Sequence, residues 1–484
     1  MKDELLKRNY TMLADAYELF MANTYLQANK NSVGVFDVIF RVVPNNGGYV
    51  VMAGLDYIID YVKNLKFTED DINYFKENNY NFSEEFYEYL RNFKFSGDIY
   101  AISDGTPVFP NEPILTIKAK MVEAQILETA ILAIINGSLK HATAARRIVE
   151  AIPENVKVME FGARRANGME DAINTSIYAI MAGCHGTSNV QAAKMINQKA
   201  LGTMAHSFVE LFDREEDAFK TFAKYNPNNV TLLVDTYDTL RSGVINAIKT
   251  FDWMKEQNMD LSSIGIRIDS GDLAWLSKEA RKMLDNAGYK NAKICLSNGL
   301  KAETIESLVL QGAKFDSLGV GDNISDPDGR IGAVYKLVAT IENDIVTPRI
   351  KVSEDMIKTI NPDFKDLYRA YDKNTGYALA DIMCSRGKSI DKDNLVIVSL
   401  NDLIKNTTIE NYRLEKLQKD IFINGELVYN NPSLNEKIKY CNEQMQSLYP
   451  EVKRLLNPHL YFVDGTTEYA SLKREMINSH KMRG

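Results

Sequence analysis

Between residues 156 and 339 the chain alternates short apolar runs with longer stretches in which apolar side chains recur every three or four positions. The runs cover 156–161, 201–206, 231–235, 265–269, 293–297 and 315–319, and each closes on or just before a polar or glycine-rich turn. Runs of this length suit strands, and the stretches between them suit amphipathic helices, so the pattern predicts a β/α rhythm with parallel strands. One such helix is marked by Leu273, Leu276, Ala280, Met283 and Leu284 on one face, with Gly288 placed to end it. In a parallel barrel the C-terminal strand ends share one mouth. Phe161, His206, Asp235, Asp269, Ser297 and Gly321 are therefore expected to converge there.

The flanks follow other patterns. Met12, Leu13, Tyr17, Phe20, Met21 and Leu26 recur at helical spacing and predict a helix over 9–26 with Thr11 as its N-cap. Alternation over 35–42 predicts a strand, and Asn45-Asn46-Gly47-Gly48 predicts a turn before the apolar 49–53. Beyond Thr340 come strand-like pieces and turns at 372–376 and Asn424-Gly425. A last helix carries Ile438, Cys441, Met445 and Leu448, with Leu455-Leu456 before the Asn457-Pro458 stop. These shifts predict three domains, at 1–137, 138–340 and 341–484.

Composition narrows the class. A chain of 484 residues is too long for one ordinary core, and 45% hydrophobic with 25% charged residues is the balance of a globular protein. A formal charge of −8 without a long basic block gives no sign of a nucleic-acid partner. The four cysteines, Cys184, Cys295, Cys384 and Cys441, form no Cys-x-x-Cys pair and read as reduced packing residues, so no zinc is expected. Segment 1–8 is charged and lacks a signal-peptide core, and no apolar run is long enough to span a bilayer. A cytoplasmic protein with no membrane partner is expected.

The strand ends carry the candidate chemistry. Ser297-Asn298-Gly299 and Gly319-Val-Gly321 are glycine turns after the last two strands, where barrels commonly dock a phosphate on exposed backbone N–H groups. Either turn alone reads as a tight turn; the pair in this order favours an anion. Phe161-Gly-Ala-Arg164-Arg165 offers an aromatic ring and guanidinium forks suited to phosphate or carboxylate, unless the arginines only pair with Glu170 and Asp171. His206 follows Gly202-Thr203-Met-Ala; a lone histidine is often structural, yet beside phosphates an imidazole is a competent nucleophile and proton carrier. Asp235 and Arg267-Ile-Asp269-Ser270-Gly271-Asp272 add carboxylates and an anion receptor, with helix capping by Asp269 or Ser270 as the plain alternative.

Tyr17, Phe161-Gly-Ala-Arg164-Arg165, Gly202-Thr203-Met-Ala-His206-Ser207, Asp235-Thr-Tyr237 and Arg267-Ile-Asp269-Ser-Gly-Asp272, in this order, closely resemble the nicotinate phosphoribosyltransferase family. The likeness also takes in Ala14 to Leu19, the turn from Pro44 to Gly48, Gly332 to Lys336 and the stretch from Tyr449 to His459. It implies an α/β fold: an irregular type II phosphoribosyltransferase β/α barrel with an N-terminal α/β sandwich-like domain and a C-terminal extension, assembled as a homodimer. It implies that nicotinate stacks between Phe161 and a Tyr17 from the neighbouring subunit, with its carboxylate on Arg267 and Thr203. Arg164, Asp235, Asp269 and the two glycine turns would hold phosphoribosyl pyrophosphate, with Mg2+ on the phosphates. His206 would take a phosphate from ATP, and its hydrolysis would drive the transfer. Catalysis would fall to His206, Asp235 and Asp269.

Two departures stand out. Where the family often has a threonine after the final turn this chain has Asp322, an acid that would repel phosphate unless Mg2+ bridges it or it turns away. The cysteines some relatives use for zinc are missing. Among rivals, a nicotinamide-using enzyme needs an acid to accept the amide N–H, but Gly186-Thr187 continues with Ser188. Quinolinate would need more cationic groups. A silent phosphosugar-binding barrel is disfavoured by the intact His206, Arg267 and Asp269.

Overall fold

The computed structural model describes residues 10–352, 359–390 and 395–481, so segment 1–8 and Asn9 lie outside the described residues. The chain forms two units, one made of 1–143 with 329–484 and the other of 144–328. The domain boundary expected at 340 falls inside strand Val334–Glu342, which pairs antiparallel with Val33–Ile39. Segment 341–484 likewise shares a sheet with the N-terminal part, because Gln418–Ile423 pairs with Asp98–Ile102. Backbone pairing between strands far apart in sequence leaves little local trace, so the sequence pattern alone places a boundary at 340.

The first unit contains a seven-stranded antiparallel sheet in the order Ile345–Pro348, Val334–Glu342, Val33–Ile39, Leu115–Lys120, Asp98–Ile102, Gln418–Ile423, Glu426–Leu427. Val33–Ile39 is buried along nearly its whole length, as an apolar central strand should be. Its one acid, Asp37, accepts from Thr116 Oγ1 at 2.6 Å and pairs with the equally buried Lys365. A six-stranded sheet contains Lys365–Asp372 and Ala378–Ser385, joined by the expected turn over 372–376. There Arg369, fully buried, forks onto Asp381 at 2.7 and 2.6 Å.

Several elements differ in extent from the pattern. The first helix is Ala16–Gln27, and Thr11 is not its cap: buried, it accepts from the Lys66 N–H at 2.9 Å. The strand expected over 35–42 is Val33–Ile39, set by its pairing with Leu115–Lys120. The helix expected around Ile438 to Leu448 is Leu434–Gln446, started by a Ser433/Glu436 capping box, with Leu448, Leu455 and Leu456 beyond it, and it is not the last, because Thr467–Lys481 forms a further helix.

The second unit has a six-stranded, all-parallel sheet in the order Gly186–Thr187, Lys157–Glu160, Ser317–Val320, Lys293–Leu296, Ile264–Ile268, Val230–Leu233. Five of the six predicted strands are present within a few residues. The sixth, over 201–206, is not a strand; the two-residue Gly186–Thr187 holds that edge. Segment 201–206 instead bridges two sheet edges, since Leu201 N–H donates to Thr187 O at 2.8 Å and Asn229 Nδ2 donates to Gly202 O at 2.8 Å. The barrel is therefore irregular, closed there by a loop and not by a ladder. Helix Leu273–Asn286 forms as expected, followed by Gly288 at φ +91°, a left-handed conformation that costs glycine little.

Candidate active site

Strand Ile264–Ile268 buries Ile264, Ile266 and Ile268, and the intervening Arg267 points to the other face. Its guanidinium is held at every nitrogen. Nε donates to Ser297 Oγ at 2.8 Å, Nη1 to Thr203 Oγ1 at 3.4 Å, and Nη2 lies 3.2 Å from Asp269 Oδ1. The ring of Phe161 sits beside it, with the guanidinium carbon 5.5 Å from the ring centroid. Phe161 is fixed from the backbone, its N–H donating to Val320 O at 2.7 Å at the end of the neighbouring strand.

The carboxylates lie next to this pair. Asp269 accepts from Ser297 Oγ through Oδ1, and its Oδ2 is 3.9 Å from His206 Nε2. His206 opens the short helix His206–Glu210, and its Nδ1 is 3.1 Å from Thr236 Oγ1. Asp235 Oδ2 accepts the Asp269 N–H at 3.1 Å and Ser270 Oγ at 2.6 Å, while Oδ1 is buried with no hydrogen-bond partner among the described residues. Asp269 and Ser270 do not cap the next helix; Asp272 does, accepting from Trp275 N–H at 3.0 Å.

The strand ends and the 201–206 loop thus bring together Phe161, Thr203, His206, Asp235, Arg267, Asp269 and Ser297. Asn298 and Gly299 follow with φ of +102° and +55°, and Gly321 precedes the short helix Asp322–Ser325. Arg164 is exposed in the 3-10 turn Ala163–Arg165. Its neighbour Arg165 pairs with Asp322 at 3.0 Å and not with Glu170 or Asp171. Tyr17 belongs to the other unit, half-exposed on helix Ala16–Gln27, its pKa raised first by burial and then by the charge of Glu128.

Two residues escaped the sequence pattern. Glu160, fully buried, accepts from Gly162 N–H, Ser176 Oγ and Thr187 Oγ1, so one carboxylate ties the Phe161 strand end to the next edge. In sequence nothing separates it from a surface glutamate, since the same short strand opens on the exposed Lys157. Thr236 was legible only as a member of Asp235-Thr-Tyr237, not as the partner of His206.

Parallel strands whose C-terminal ends gather an arginine, an aromatic ring and two carboxylates, with a histidine from the adjoining loop, at the mouth of an irregular barrel, define an α/β enzyme of the type II phosphoribosyltransferase fold. Known proteins agree. Family models match at 12–136 (nicotinate phosphoribosyltransferase N-terminal domain), 156–369 (nicotinate phosphoribosyltransferase family) and 364–473 (nicotinate phosphoribosyltransferase C-terminal domain). The nicotinate phosphoribosyltransferase of Bacillus subtilis is 38% identical over 97% of this chain and 95% of its own length. That of Caenorhabditis elegans is 32% identical over 93% and 90%. The crystal structure of human nicotinic acid phosphoribosyltransferase, 24% identical, superposes with a TM-score of 0.84 over 96% of this chain and 99% of that one, and shows the same fold. The chain belongs to the nicotinate phosphoribosyltransferase family.

Proposed function

We propose that the chain transfers the phosphoribosyl group of phosphoribosyl pyrophosphate to nicotinate, giving nicotinate mononucleotide and pyrophosphate for NAD biosynthesis. The observation that carries this reading is the Arg267 guanidinium held beside the Phe161 ring. Nicotinate is a flat ring bearing an anion, and an aromatic face next to a fixed guanidinium complements both parts. Thr203, bonded to the same guanidinium, extends the polar side of the subsite. Ser188 after Thr187 leaves no acid at that position for an amide N–H, which favours the carboxylate.

In the reaction the ring nitrogen bonds to C1 of the ribose as the C1–O bond to pyrophosphate breaks, and positive charge builds on the sugar. Asp235 and Asp269 are the carboxylates available to counter it. Arg164, Asn298, Gly299 and Gly321 take the phosphates. No cluster of three or more His, Cys, Asp or Glu fit for a metal is found among the described residues. Mg2+ commonly uses one or two carboxylates together with substrate phosphates, and the partnerless Asp235 Oδ1 fits that role. When bound, the ion offsets the charge of the leaving pyrophosphate.

His206 is assigned the phosphate of ATP: an imidazole nitrogen bonds to the γ-phosphorus as ADP leaves, and hydrolysis of the phosphohistidine drives the transfer forward. A homodimer is proposed in which Tyr17 completes the neighbouring site; Leu13, Tyr17, Phe20 and Met21 are exposed around the first helix, as a face covered by a second copy would be. A cytoplasmic location is proposed; no described helix is long and apolar enough to cross a membrane.

The test is product formation by the purified chain with phosphoribosyl pyrophosphate and Mg2+, offering nicotinate and nicotinamide in competition, with and without ATP. Nicotinate mononucleotide as the main product, formed faster with ATP, is expected. Unchanged nicotinate under every condition would end the assignment.

A further inference from the structure

We propose that Gly319 and Ser297, although they stand at the ends of the two strands that lead into turns suited to phosphate, are positioning residues for the nicotinate half of the site. The proposal rests on the assignment of Phe161 and Arg267 to nicotinate.

Gly319 lies in strand Ser317–Val320, opposite Met159, and its backbone is not left-handed, so conformation alone does not demand glycine. Space does. A Cβ on residue 319 would stand 2.5 Å from both Cδ2 and Cε2 of Phe161, well inside the ~3.5–4.0 Å of carbon contacts. The missing side chain is thus the seat of the Phe161 ring. Gly321, two residues on, differs: a Cβ there would meet the carbonyl oxygen of Phe161 at 3.3 Å and no part of the ring. The strand glycine serves the ring, which leaves the turn glycine to the anion.

Ser297 performs the matching task for the guanidinium. Its buried hydroxyl accepts from Arg267 Nε at 2.8 Å and donates to Asp269, which itself bears on Arg267 Nη2 at 3.2 Å. A phosphate bonded to that hydroxyl would have to displace one of these partners. Ring and guanidinium are therefore set in relation to each other by residues 319 and 297 before any ligand arrives, which is the preorganisation that tight orientation of a planar acid needs. A Cβ on residue 319 would also lie 3.5 Å from Cβ of Ser297, so the two positions share one wall.

The experiment measures KM for nicotinate and for phosphoribosyl pyrophosphate separately in wild type, Gly319→Ala, Ser297→Ala and Gly319→Ala combined with Phe161→Leu. Each single variant should raise KM for nicotinate about tenfold and leave that for phosphoribosyl pyrophosphate within about twofold. In the Phe161→Leu background, where no ring remains to collide, Gly319→Ala should add little. A rise in KM for phosphoribosyl pyrophosphate with nicotinate unaffected overturns the proposal, as does an equal rise in both. If Gly319→Ala does not fold, Ser297→Ala decides by the same split. Wild-type protein that leaves nicotinate unconverted instead defeats the underlying reading, and does so before any variant is made.

Discussion

Arg165 Nε lies 3.0 Å from Asp322 Oδ1, joining the turn after strand Lys157–Glu160 to the one after strand Ser317–Val320. The acid that stands where the family often has a threonine is thereby matched by a cation and need not repel a phosphate. Both side chains are more than half exposed, so the pair should contribute at most about 1 kcal/mol. Asp322→Asn is expected to change the free energy of urea unfolding by no more than that, and KM for phosphoribosyl pyrophosphate by about twofold or less. A tenfold rise in that KM would show that Asp322 assists phosphate binding.

Arg267 should distinguish binding from chemistry. Arg267→Ala removes the carboxylate receptor and leaves Ser297 and Thr203 without their donor, so KM for nicotinate should rise about 10- to 100-fold. Arg267→Lys should recover little of this, because an ammonium cannot reach Ser297, Thr203 and Asp269 together. Steady-state kinetics with each substrate varied in turn checks both statements; an unaltered KM for nicotinate would take Arg267 out of the subsite.

The parallel strands were legible because their apolar runs are short, continuous and buried, as in Ile264–Ile268, and the catalytic candidates were legible because they cluster at the ends of such runs. What failed to show has a common cause in long-range pairing. Segment 201–206 has an apolar run like the others but forms a ladder with neither edge it touches, and Gly186–Thr187, too short to make a pattern, takes the edge through its bond register with Met159 and Glu160. The return of Val334–Glu342 to the sheet of Val33–Ile39 is likewise a tertiary choice. The function of Glu160 was hidden because a buried acid satisfied by two hydroxyls and an amide looks, in sequence, like any surface glutamate.

Beside Tyr17, Glu18 is buried, and its Oε2 has no hydrogen-bond partner among the described residues. Burial pushes its pKa up to about 7; the Thr129 hydroxyl opposes the rise, and the charges of Glu128 and Asp15 add to it. A carboxyl with a raised folded-state pKa favours the folded state fully below its unfolded value, and that contribution is lost as pH climbs from about 4.5 to about 7. Glu18→Gln keeps the shape and cannot ionise. Its melting temperature relative to wild type should therefore rise across that window and level off above it, with a free-energy difference of about 1–3 kcal/mol. A constant difference from pH 4 to pH 8 would contradict the assignment.

His206 offers the most direct chemical test. Its Nδ1 is oriented by Thr236 and its Nε2 faces Asp269, so the imidazole is held at the mouth where Asp235 and Arg267 also open. Incubation with ATP labelled at the γ-phosphate should mark the protein with a bond that acid cleaves and base does not, as expected of a phosphorus–nitrogen linkage. His206→Ala should abolish the label and the stimulation by ATP together, while retaining slow transfer from phosphoribosyl pyrophosphate, since the groups assigned to nicotinate and to the ribose are untouched. Thr236→Val, which removes only the orienting hydroxyl, should slow labelling without preventing it. Label that survives in His206→Ala would move the phosphorylated residue elsewhere. Loss of label with ATP stimulation intact would separate phosphorylation from the coupling it is proposed to drive.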